Sequence, residues 1–280
     1  MHQLPSAYPR HRHASEDARR IAQNGLKLLV QVGSGVHGTS ISGQDDRDEM
    51  GFCIEPEEYL IGLARITTPG GGSLPFDQFE RHTAWDRPGG IRNRSGAGDL
   101  DVLVYSLRKW ARLAADGNPT VLLPIFVPED EIVVGSAVAD EVRANAHRFA
   151  SKRSIRRFLG YLESQLGAMN GTRSRHTNRP ELIAEHGYDT KFAMHAARLG
   201  VQGLEFARTG RITLPIPEPQ RTTLRAIRSG DVPLAETLRM INELRDDLVA
   251  ELDQDRLPDE PDRRWIDAWL IAAYQQEWRA

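Results

Sequence analysis

The spacing of hydrophobic and polar positions divides the chain into a mixed first half and a helical second half. Residues 26–32 are rich in leucine and valine and lie between glycines, a pattern that predicts a strand. Shorter apolar runs at residues 50–54 and 101–104 predict two more strands. A serine followed by two acids predicts a helix over residues 15–25, and apolar residues at helical spacing predict another over residues 107–117.

Beyond residue 136, apolar residues recur at helical spacing almost throughout. Stripes of this kind predict helices around residues 155–166, 189–207 and 234–252. Tryptophans and aliphatic residues between positions 265 and 273 predict a last helix docked on the core. The chain is therefore expected to belong to the α+β class. We place its parts at residues 1–25 (N-terminal tail and helix), 26–132 (mixed domain) and 133–280 (helical C-terminal region).

Two stretches have little periodicity. Residues 66–100 contain three clusters of glycine and are loop-like. Because a structureless loop of that length is uncommon in a compact domain, the segment either hides short strands or closes over a site. His2, His11 and His13 have no spacing typical of metal ligands, and we expect them to lie in a mobile tail.

Composition excludes several classes of protein. The 280 residues include 36 basic and 39 acidic side chains, a formal net charge of −3, which argues against a protein that coats nucleic acid. Cys53 stands alone, so neither an internal disulfide nor a cysteine-based zinc site is expected. There is no run of 18 apolar residues, and the N-terminus lacks the apolar core of a signal peptide. We expect a cytoplasmic protein with no membrane partner.

The charge is unevenly distributed. Residues 143–179 contain nine Lys or Arg and a single acid, Glu163, for a local net charge of +8. Such a block either faces a polyanion or consists of solvated helix faces. The pattern leaves both interpretations open.

Candidate chemistry lies between Gly33 and Gly51. Gly33-Ser34 follows the first predicted strand, where backbone N–H groups can approach an anion. Asp46 and Asp48 come about a dozen residues later and stand two apart, so that on a strand both carboxylates would point to one face. Carboxylates beside a phosphate cradle are typical of a magnesium site. The segment matches neither the Walker A motif nor the Rossmann fingerprint.

In this order, Gly33-Ser34, Gly38-Thr39, Asp46-x-Asp48 and Gly51 resemble the signature of the DNA polymerase beta-like nucleotidyltransferase superfamily. Within it, the chain is most similar to predicted nucleotidyltransferases of bacteria and their phages. The resemblance spans about residues 27–215. It is supported by further short motifs at residues 104–109, 117–120, 158–161 and 187–199.

The resemblance implies a small mixed-sheet catalytic domain, here residues 26–132, followed by the helical region. It implies a nucleoside triphosphate donor and an acceptor hydroxyl, with release of pyrophosphate. Asp46, Asp48 and a third carboxylate would hold Mg²⁺, two ions being expected and Mn²⁺ being the alternative metal. Asp101 matches the third position, with Asp99 as the alternative.

The same resemblance implies that Gly33 and Ser34 hold the β- and γ-phosphates. Gly38, Thr39, Lys191 and His195 complete the expected nucleotide-binding set, Lys191 as a point charge near the triphosphate. The acceptor is open: a nucleic acid and a small molecule are both compatible with the sequence.

The chain departs from the family pattern in two places. Asp45 stands where serine is usual and could compete as a metal ligand, and residues 121–124 lack the glutamate often found after an Asn-Pro pair. Two functions of other classes therefore stay open. One is a regulatory protein that binds nucleotides without turnover, and the other is a nucleic-acid-binding protein that uses residues 143–179.

Overall fold

A computed structural model describes residues 2–41, 43, 45–170 and 179–279. Within these residues, the first half of the chain forms a five-stranded mixed sheet in the order β5-β6-β2-β1-β7. The strands are β1 (Leu26–Val32), β2 (Arg47–Cys53), β5 (Gln78–His82), β6 (Leu100–Ser106) and β7 (Ile132–Val134). A separate two-stranded sheet consists of β3 (Ile66–Thr67) and β4 (Ser73–Leu74).

The helices of the first half are α1 (Glu16–Asn24), α2 (Gly33–His37), α3 (Glu57–Leu60), α4 (Leu107–Ala115) and α5 (Pro119–Leu122). The second half contributes α6 (Ala137–Ala144), α7 (Lys152–Met169), α8 (Pro180–His186), α9 (Thr190–Thr209), α10 (Gln220–Ser229), α11 (Leu234–Glu251) and α12 (Arg263–Arg279). The predicted α+β class and the helical second half are confirmed. None of the described helices is both long and apolar enough to cross a membrane.

The centre of the sheet positions the candidate site. Strands β2 and β6 are parallel neighbours, with Asp48 opposite Asp101, while β1 runs antiparallel to β2 and β5 antiparallel to β6. Fully buried side chains of β1 and β2, such as Leu28 and Phe52, pack into the larger core against Trp110 of α4. This core continues into α7, α9 and α12, so the sheet and the helical region share one apolar interior.

The C-terminal helix docks on this core as the sequence predicts. Trp269 of α12 is buried and meets Trp110 edge-on, with 6.2 Å between the ring centroids. The hydroxyl of Tyr274 donates a hydrogen bond to the buried carboxylate of Glu55 at 2.9 Å. Apolar packing and this buried hydrogen bond together attach α12 to the sheet domain.

The segment 66–100 was expected to be either looped or a set of hidden short strands, and the structure shows the second. It contains β3, β4 and β5 together with short 3-10 turns. The hydrophobic pattern does not predict strand β5, because its sequence, QFERH, contains a single apolar residue. Its buried Arg81 is satisfied by the carboxylate of Asp86 and by the carbonyl of Ser6.

The prediction of a mobile N-terminal tail for His2, His11 and His13 is wrong. The rings of Tyr8 and His11 lie 5.5 and 4.6 Å from the ring of Trp85, and the carbonyl of His13 accepts the backbone N–H of Glu80 at 3.0 Å. His2 lies 3.6 Å from the carboxylate of Glu49. Contacts with β2, β5 and the turn after β5 hold the segment in place. Because these partners are distant in the chain, the local sequence pattern did not predict the contacts.

The basic segment 143–179 is largely neutralised where the structure describes it. Ion pairs there join Arg143 to Glu129, Arg148 to Asp262, Lys152 to Asp255, Arg153 to Asp116 and Arg179 to Asp189. Arg173 and Arg175 lie outside the described residues. The acids that compensate this block come mostly from other parts of the chain, which the local count of charges could not reveal.

Candidate functional site

Three carboxylates meet at one end of the two central parallel strands. Asp48 is the second residue of β2 and Asp101 the second residue of β6, and the parallel register places them opposite each other. Asp46 was expected to lie on the same strand as Asp48, and it immediately precedes that strand, β2. One oxygen from each of Asp46, Asp48 and Asp101 lies within 4.8 Å of the others. The structure therefore brings together the three residues that the sequence singled out.

Asp99, the alternative third carboxylate, has other partners. It accepts hydrogen bonds from the Arg87 guanidinium at 2.8 Å, the backbone N–H of Gly96 at 2.9 Å and the hydroxyl of Thr83 at 3.3 Å. Among the described residues the cluster of three contains Asp101 and not Asp99. Asp99 instead ties the preceding loop to the start of β6.

Asp101 is held on both of its oxygens. Ser95 donates a hydrogen bond to Oδ1 at 2.6 Å, and Nδ1 of His82 lies 2.7 Å from Oδ2. The other ring nitrogen of His82 lies 3.3 Å from Glu80. Burial lowers the pKa of His82, but the hydrogen bonds to Asp101 and Glu80 outweigh it and raise the pKa to about 9. His82 is therefore a cation at neutral pH and fixes the position of Asp101.

Sequence reasoning missed His82 and Ser95. Both reach Asp101 from outside β6, His82 from the end of the antiparallel neighbour β5 and Ser95 from the loop before β6. The strand β5 carries no alternating pattern, and a single histidine or serine is not a motif. Only the pairing of β5 with β6, which sets His82 opposite Asp101, reveals the contact.

The cluster is electrostatically strained without a cation. Burial, and then the charges of Asp46 and Asp101, raise the pKa of Asp48 to about 6. Burial and the neighbouring Asp101 also raise the pKa of Asp46. Because a divalent ion relieves this repulsion and prefers carboxylate oxygens, the donor set fits Mg²⁺ or Mn²⁺.

The turn between β1 and α2 lies against the cluster. Gly33 has a φ of +77°, and a Cβ added to it would lie 2.0 Å from Oδ2 of Asp48. Glycine is required here both by the left-handed backbone and by the close approach of the carboxylate. Ser34 follows as the second residue of α2. The predicted phosphate-binding turn therefore lies directly against Asp48, one of the predicted metal ligands.

The other end of α2 meets the helical region. The carbonyl of Gly38 accepts a hydrogen bond from Arg225 of α10 at 2.8 Å. Thr39 is buried, its backbone N–H donates to the carbonyl of Ser34, and its hydroxyl has no partner among the described residues. A nucleotide contact of Gly38 or Thr39 stays a prediction, since the structure places both residues at the end of α2 away from Gly33.

Lys191 of α9, in the helical region, interacts electrostatically with the carboxylates. Burial lowers its pKa, as do the charges of Arg179 and Arg228, while Asp45 and Asp46 act in the opposite direction. Lys191 in turn favours the charged forms of Asp46 and Asp48. It is therefore within electrostatic reach of the acidic cluster.

His195 and Arg198 lie further along α9. Burial, and then Arg198 and Lys191, hold the pKa of His195 well below its usual range, so the ring is neutral. Arg198 is 2.7 Å from the buried ring of His37 in α2 and bonds to Gln202 at 3.0 Å. Arg198 thus connects α9 to α2 through His37.

Asp45, the departure from the usual serine, does not join the three carboxylates. One oxygen accepts the backbone N–H of Ile41 at 2.7 Å, and the other lies 3.8 Å from the guanidinium of Arg228. Arg228 and Arg179, both missed by sequence reasoning, add positive charge beside Lys191. No sequence spacing connects these two arginines with Lys191, because Arg179 precedes α8 and Arg228 lies in the last turn of α10.

The segment that lacks the family's glutamate is part of the core. Val121 and Leu122 are buried, and the carbonyl of Val121 accepts a hydrogen bond from the Trp110 indole at 3.0 Å. Asn118 caps α5 and donates to the hydroxyl of Tyr161 at 2.8 Å. This segment supports the sheet and supplies no charge to the cluster.

Comparison with known proteins agrees with this geometry. The family described as RlaP, the RNA repair pathway DNA polymerase beta family, matches residues 11–272. No curated protein and no solved structure matches the chain. Because the match covers nearly the whole sequence, the chain belongs to this family of polymerase beta-like nucleotidyltransferases.

Proposed function

We propose that this member of the family transfers a nucleoside monophosphate from a nucleoside triphosphate to an acceptor hydroxyl. The observation that carries the proposal is the convergence of Asp46, Asp48 and Asp101 within 4.8 Å, beside the Gly33-Ser34 turn. In the transfer, a bond forms between the acceptor oxygen and the α-phosphorus. The bond from that phosphorus to the leaving pyrophosphate breaks.

Asp46, Asp48 and Asp101 are the residues that would hold the metal, with two Mg²⁺ expected and Mn²⁺ as the alternative. When bound, the ions supply charge neutralisation for the attacking and leaving oxygens. The hydrogen bonds from His82 and Ser95 hold Asp101 so that it can complete an ion's shell and help to activate the acceptor hydroxyl. Such fixed positioning is the main contribution a protein makes to phosphoryl-type transfer.

The nucleotide would lie between the β1–α2 turn and α9. Gly33 and Ser34 would hold the β- and γ-phosphates, and Lys191 would add a positive charge from the other side. Arg179 and Arg228 strengthen this positive field. His195, as a neutral and largely buried ring on the same helix, is the residue we propose to contact the nucleotide next to Lys191.

The family description names RNA repair, and we propose that the acceptor is a hydroxyl at an RNA end. The catalytic part would be residues 26–132, preceded by the tail and helix of residues 1–25. The helical region, residues 133–280, would supply Lys191. A cytoplasmic location is part of the same proposal.

Two alternatives lose support from particular contacts. A nucleotide-binding protein without turnover does not need a third carboxylate, yet Asp101 is in place and held by two donors. A nucleic-acid-binding protein built on residues 143–179 needs free cations, yet most of the described cations in this segment, among them Arg143, Arg148 and Arg153, are paired with an acid.

The test is calorimetric titration of each nucleoside triphosphate with Mg²⁺, on the wild type and on Asp46→Ala/Asp48→Ala. Metal-dependent binding that is lost in the double variant supports the proposal and identifies the donor. Nucleotide incorporation at the 3′ end of a labelled RNA oligonucleotide then tests turnover.

A matched pair of single variants separates the two candidates for the third carboxylate. Asp101→Asn should abolish nucleotide incorporation, because it removes a charge from the cluster. Asp99→Asn removes the same charge two residues away, outside the cluster, and this variant should retain most of the wild-type incorporation. Binding of no triphosphate by folded wild-type protein would contradict the proposal. Equal incorporation by both variants would contradict the role of Asp101.

A further inference from the structure

An exposed group of arginines lies on the Asp101 side of the site. Arg10 belongs to the N-terminal segment, and Arg87, Arg92 and Arg94 belong to the loop between β5 and β6. All four side chains are exposed. We refer to these four residues as the basic rim.

A surface cavity lies between the two segments that carry the rim. Its volume is about 830 Å³, and its lining includes Tyr8, Arg10, Trp85, Arg87 and Ile91. Ile91 is a large apolar side chain that is 56% exposed. The cavity thus combines guanidinium groups with an aromatic and an aliphatic surface.

One layer of side chains connects this cavity to the carboxylates. The ring of Trp85, which lines the cavity, lies 4.6 Å from the ring of His82, and His82 contacts Asp101 at 2.7 Å. The same loop reaches the cluster through Ser95, which contacts Asp101 at 2.6 Å. The wall of the cavity therefore lies close to Asp101, with the ring of His82 between Trp85 and the carboxylate.

Two arginines of the rim have no counter-charge among the described residues. Arg10 and Arg92 form no side-chain hydrogen bond or ion pair with any described residue, and Arg87 pairs with Asp99. The nearest exposed acid in the cavity lining, Asp86, is bound through both of its oxygens by the buried Arg81. A surface of this kind attracts a polyanion.

The order of the strands separates this surface from the proposed triphosphate site. The carboxylates lie on or beside β2 and β6. The Gly33-Ser34 turn follows β1, on one flank of this pair, whereas the loop of the rim follows β5, on the other flank. Donor and acceptor of a transfer reaction need opposite approaches to the metal-binding residues, and the sheet provides them.

We propose that the cavity and the basic rim bind the backbone of the polynucleotide acceptor and direct its 3′ end to Asp101. This inference rests on the proposed nucleotidyl transfer and names the acceptor surface of the same site. The arginines would contact phosphates, and Tyr8 and Ile91 would contact bases, a combination typical of single-strand binding.

The experiment measures binding of a fluorescent single-stranded RNA oligonucleotide by anisotropy at several salt concentrations, without nucleoside triphosphate or metal. The test variant is Arg10→Ala/Arg92→Ala, whose side chains have no partner in the described structure to lose. Removing two contacts to a single strand should reduce the slope of log affinity against log salt by about 1.4. That change corresponds to roughly 25-fold weaker binding at 0.1 M salt, if both proteins bind equally at 1 M.

Arg108→Ala/Arg112→Ala is the matched control. Arg108 and Arg112 are exposed and lie on α4, which follows the far end of β6 from Asp101, and their side chains form no hydrogen bond or ion pair with described residues. The control removes the same charge and should bind RNA like the wild type. A single-stranded DNA oligonucleotide of the same sequence shows whether the surface recognises the 2′-hydroxyl, since equal binding would assign recognition to the phosphates and bases.

Two results would overturn the inference: the test variant binds like the wild type, or the control loses at least as much affinity as the test variant. Failure to bind any oligonucleotide would do the same. The proposed function fails by a separate criterion, because metal-dependent triphosphate binding is measured without acceptor. A protein that binds triphosphate but not RNA through the rim keeps the proposed function and loses this inference.

Discussion

Gly33→Ala is the substitution for which the structure makes the most demanding prediction. Gly33 joins β1 to α2 with a φ of +77°, a conformation that costs an L-residue about 1–2 kcal/mol. An added Cβ would also lie 2.0 Å from Oδ2 of Asp48, 2.9 Å from its Cγ and 3.0 Å from its Cβ. Because three atoms of the side chain are in the way, rotation of the carboxylate alone does not remove the contact.

The size of the effect follows from these distances. Ordinary van der Waals contact begins near 3.4 Å, so Oδ2 and Cβ must separate by at least a further 1.4 Å. Metal–ligand distances tolerate only about 0.2 Å, and a 1 Å misplacement at a catalytic site costs on the order of 100-fold in rate. We therefore expect Gly33→Ala to lower incorporation at least about 100-fold and to weaken binding of Mn²⁺, observed directly by electron paramagnetic resonance.

Gly70→Ala provides the matched control. Gly70 has almost the same φ, +82°, but a Cβ there would meet nothing within 4 Å. Both variants should lose about 1–2 kcal/mol of unfolding free energy in urea from backbone strain, and Gly33→Ala should lose more because Asp48 must also move. Only Gly33→Ala should lose metal binding and activity.

The comparison can refute the reasoning in either direction. Wild-type Mn²⁺ affinity in folded Gly33→Ala would show that the turn is not packed on Asp48 as described. Equal loss of activity in Gly70→Ala would show that general destabilisation, and not displacement of a carboxylate, explains the effect.

Two further predictions concern stability away from the site. Trp110→Phe leaves the buried carbonyl of Val121 without its hydrogen-bond donor. Urea unfolding should show that the free energy of unfolding falls by about 1–3 kcal/mol, while triphosphate binding is unchanged. A decrease below about 0.5 kcal/mol would contradict the importance of this hydrogen bond. Burial raises the pKa of Glu55 to about 7 from its ordinary 4.5, even though Tyr274 donates to it. The folded state therefore holds this proton more tightly, and the group stabilises the fold below about pH 4.5 and loses that contribution as the pH rises to about 7. Glu55→Gln should flatten the pH dependence of unfolding by up to about 3 kcal/mol across this interval, and parallel wild-type and variant profiles would show that Glu55 titrates normally.

Some of the fold was predictable because its signals are local. Leu26–Val32 is a strand of β-favouring residues between glycines, and α9 begins at a capping aspartate, Asp189, and ends at Gly210 in a left-handed conformation. Other elements carry weak local signals. Strand β5 contains one apolar residue, and β7 has only three residues, so both depend on their neighbours in the sheet.

The distribution of charge shows the same limit. Residues 143–179 form a block of +8 when counted along the chain, yet Arg148 and Arg153 have their partners at Asp262 and Asp116. Ion pairs join residues that are close in space, and a linear count contains no information about that distance. The basic rim is the reverse case, since Arg10 and Arg87 share a cavity although 76 positions separate them.

By itself, the sequence determined the α+β class and predicted the Gly33-Ser34 turn, Asp46 and Asp48, with Asp101 or Asp99 as the third carboxylate, because each depends on residue types at short spacing or on a match to a family signature. Only the tertiary structure decided that Asp101 joins the cluster and is held by His82 and Ser95, that the N-terminal segment packs on Trp85, and that Lys191 is within electrostatic reach of the carboxylates. These contacts depend on which strands pair and which helices dock. Pairing and docking are decided by burial of apolar surface across the whole chain, and no local window of sequence contains that sum.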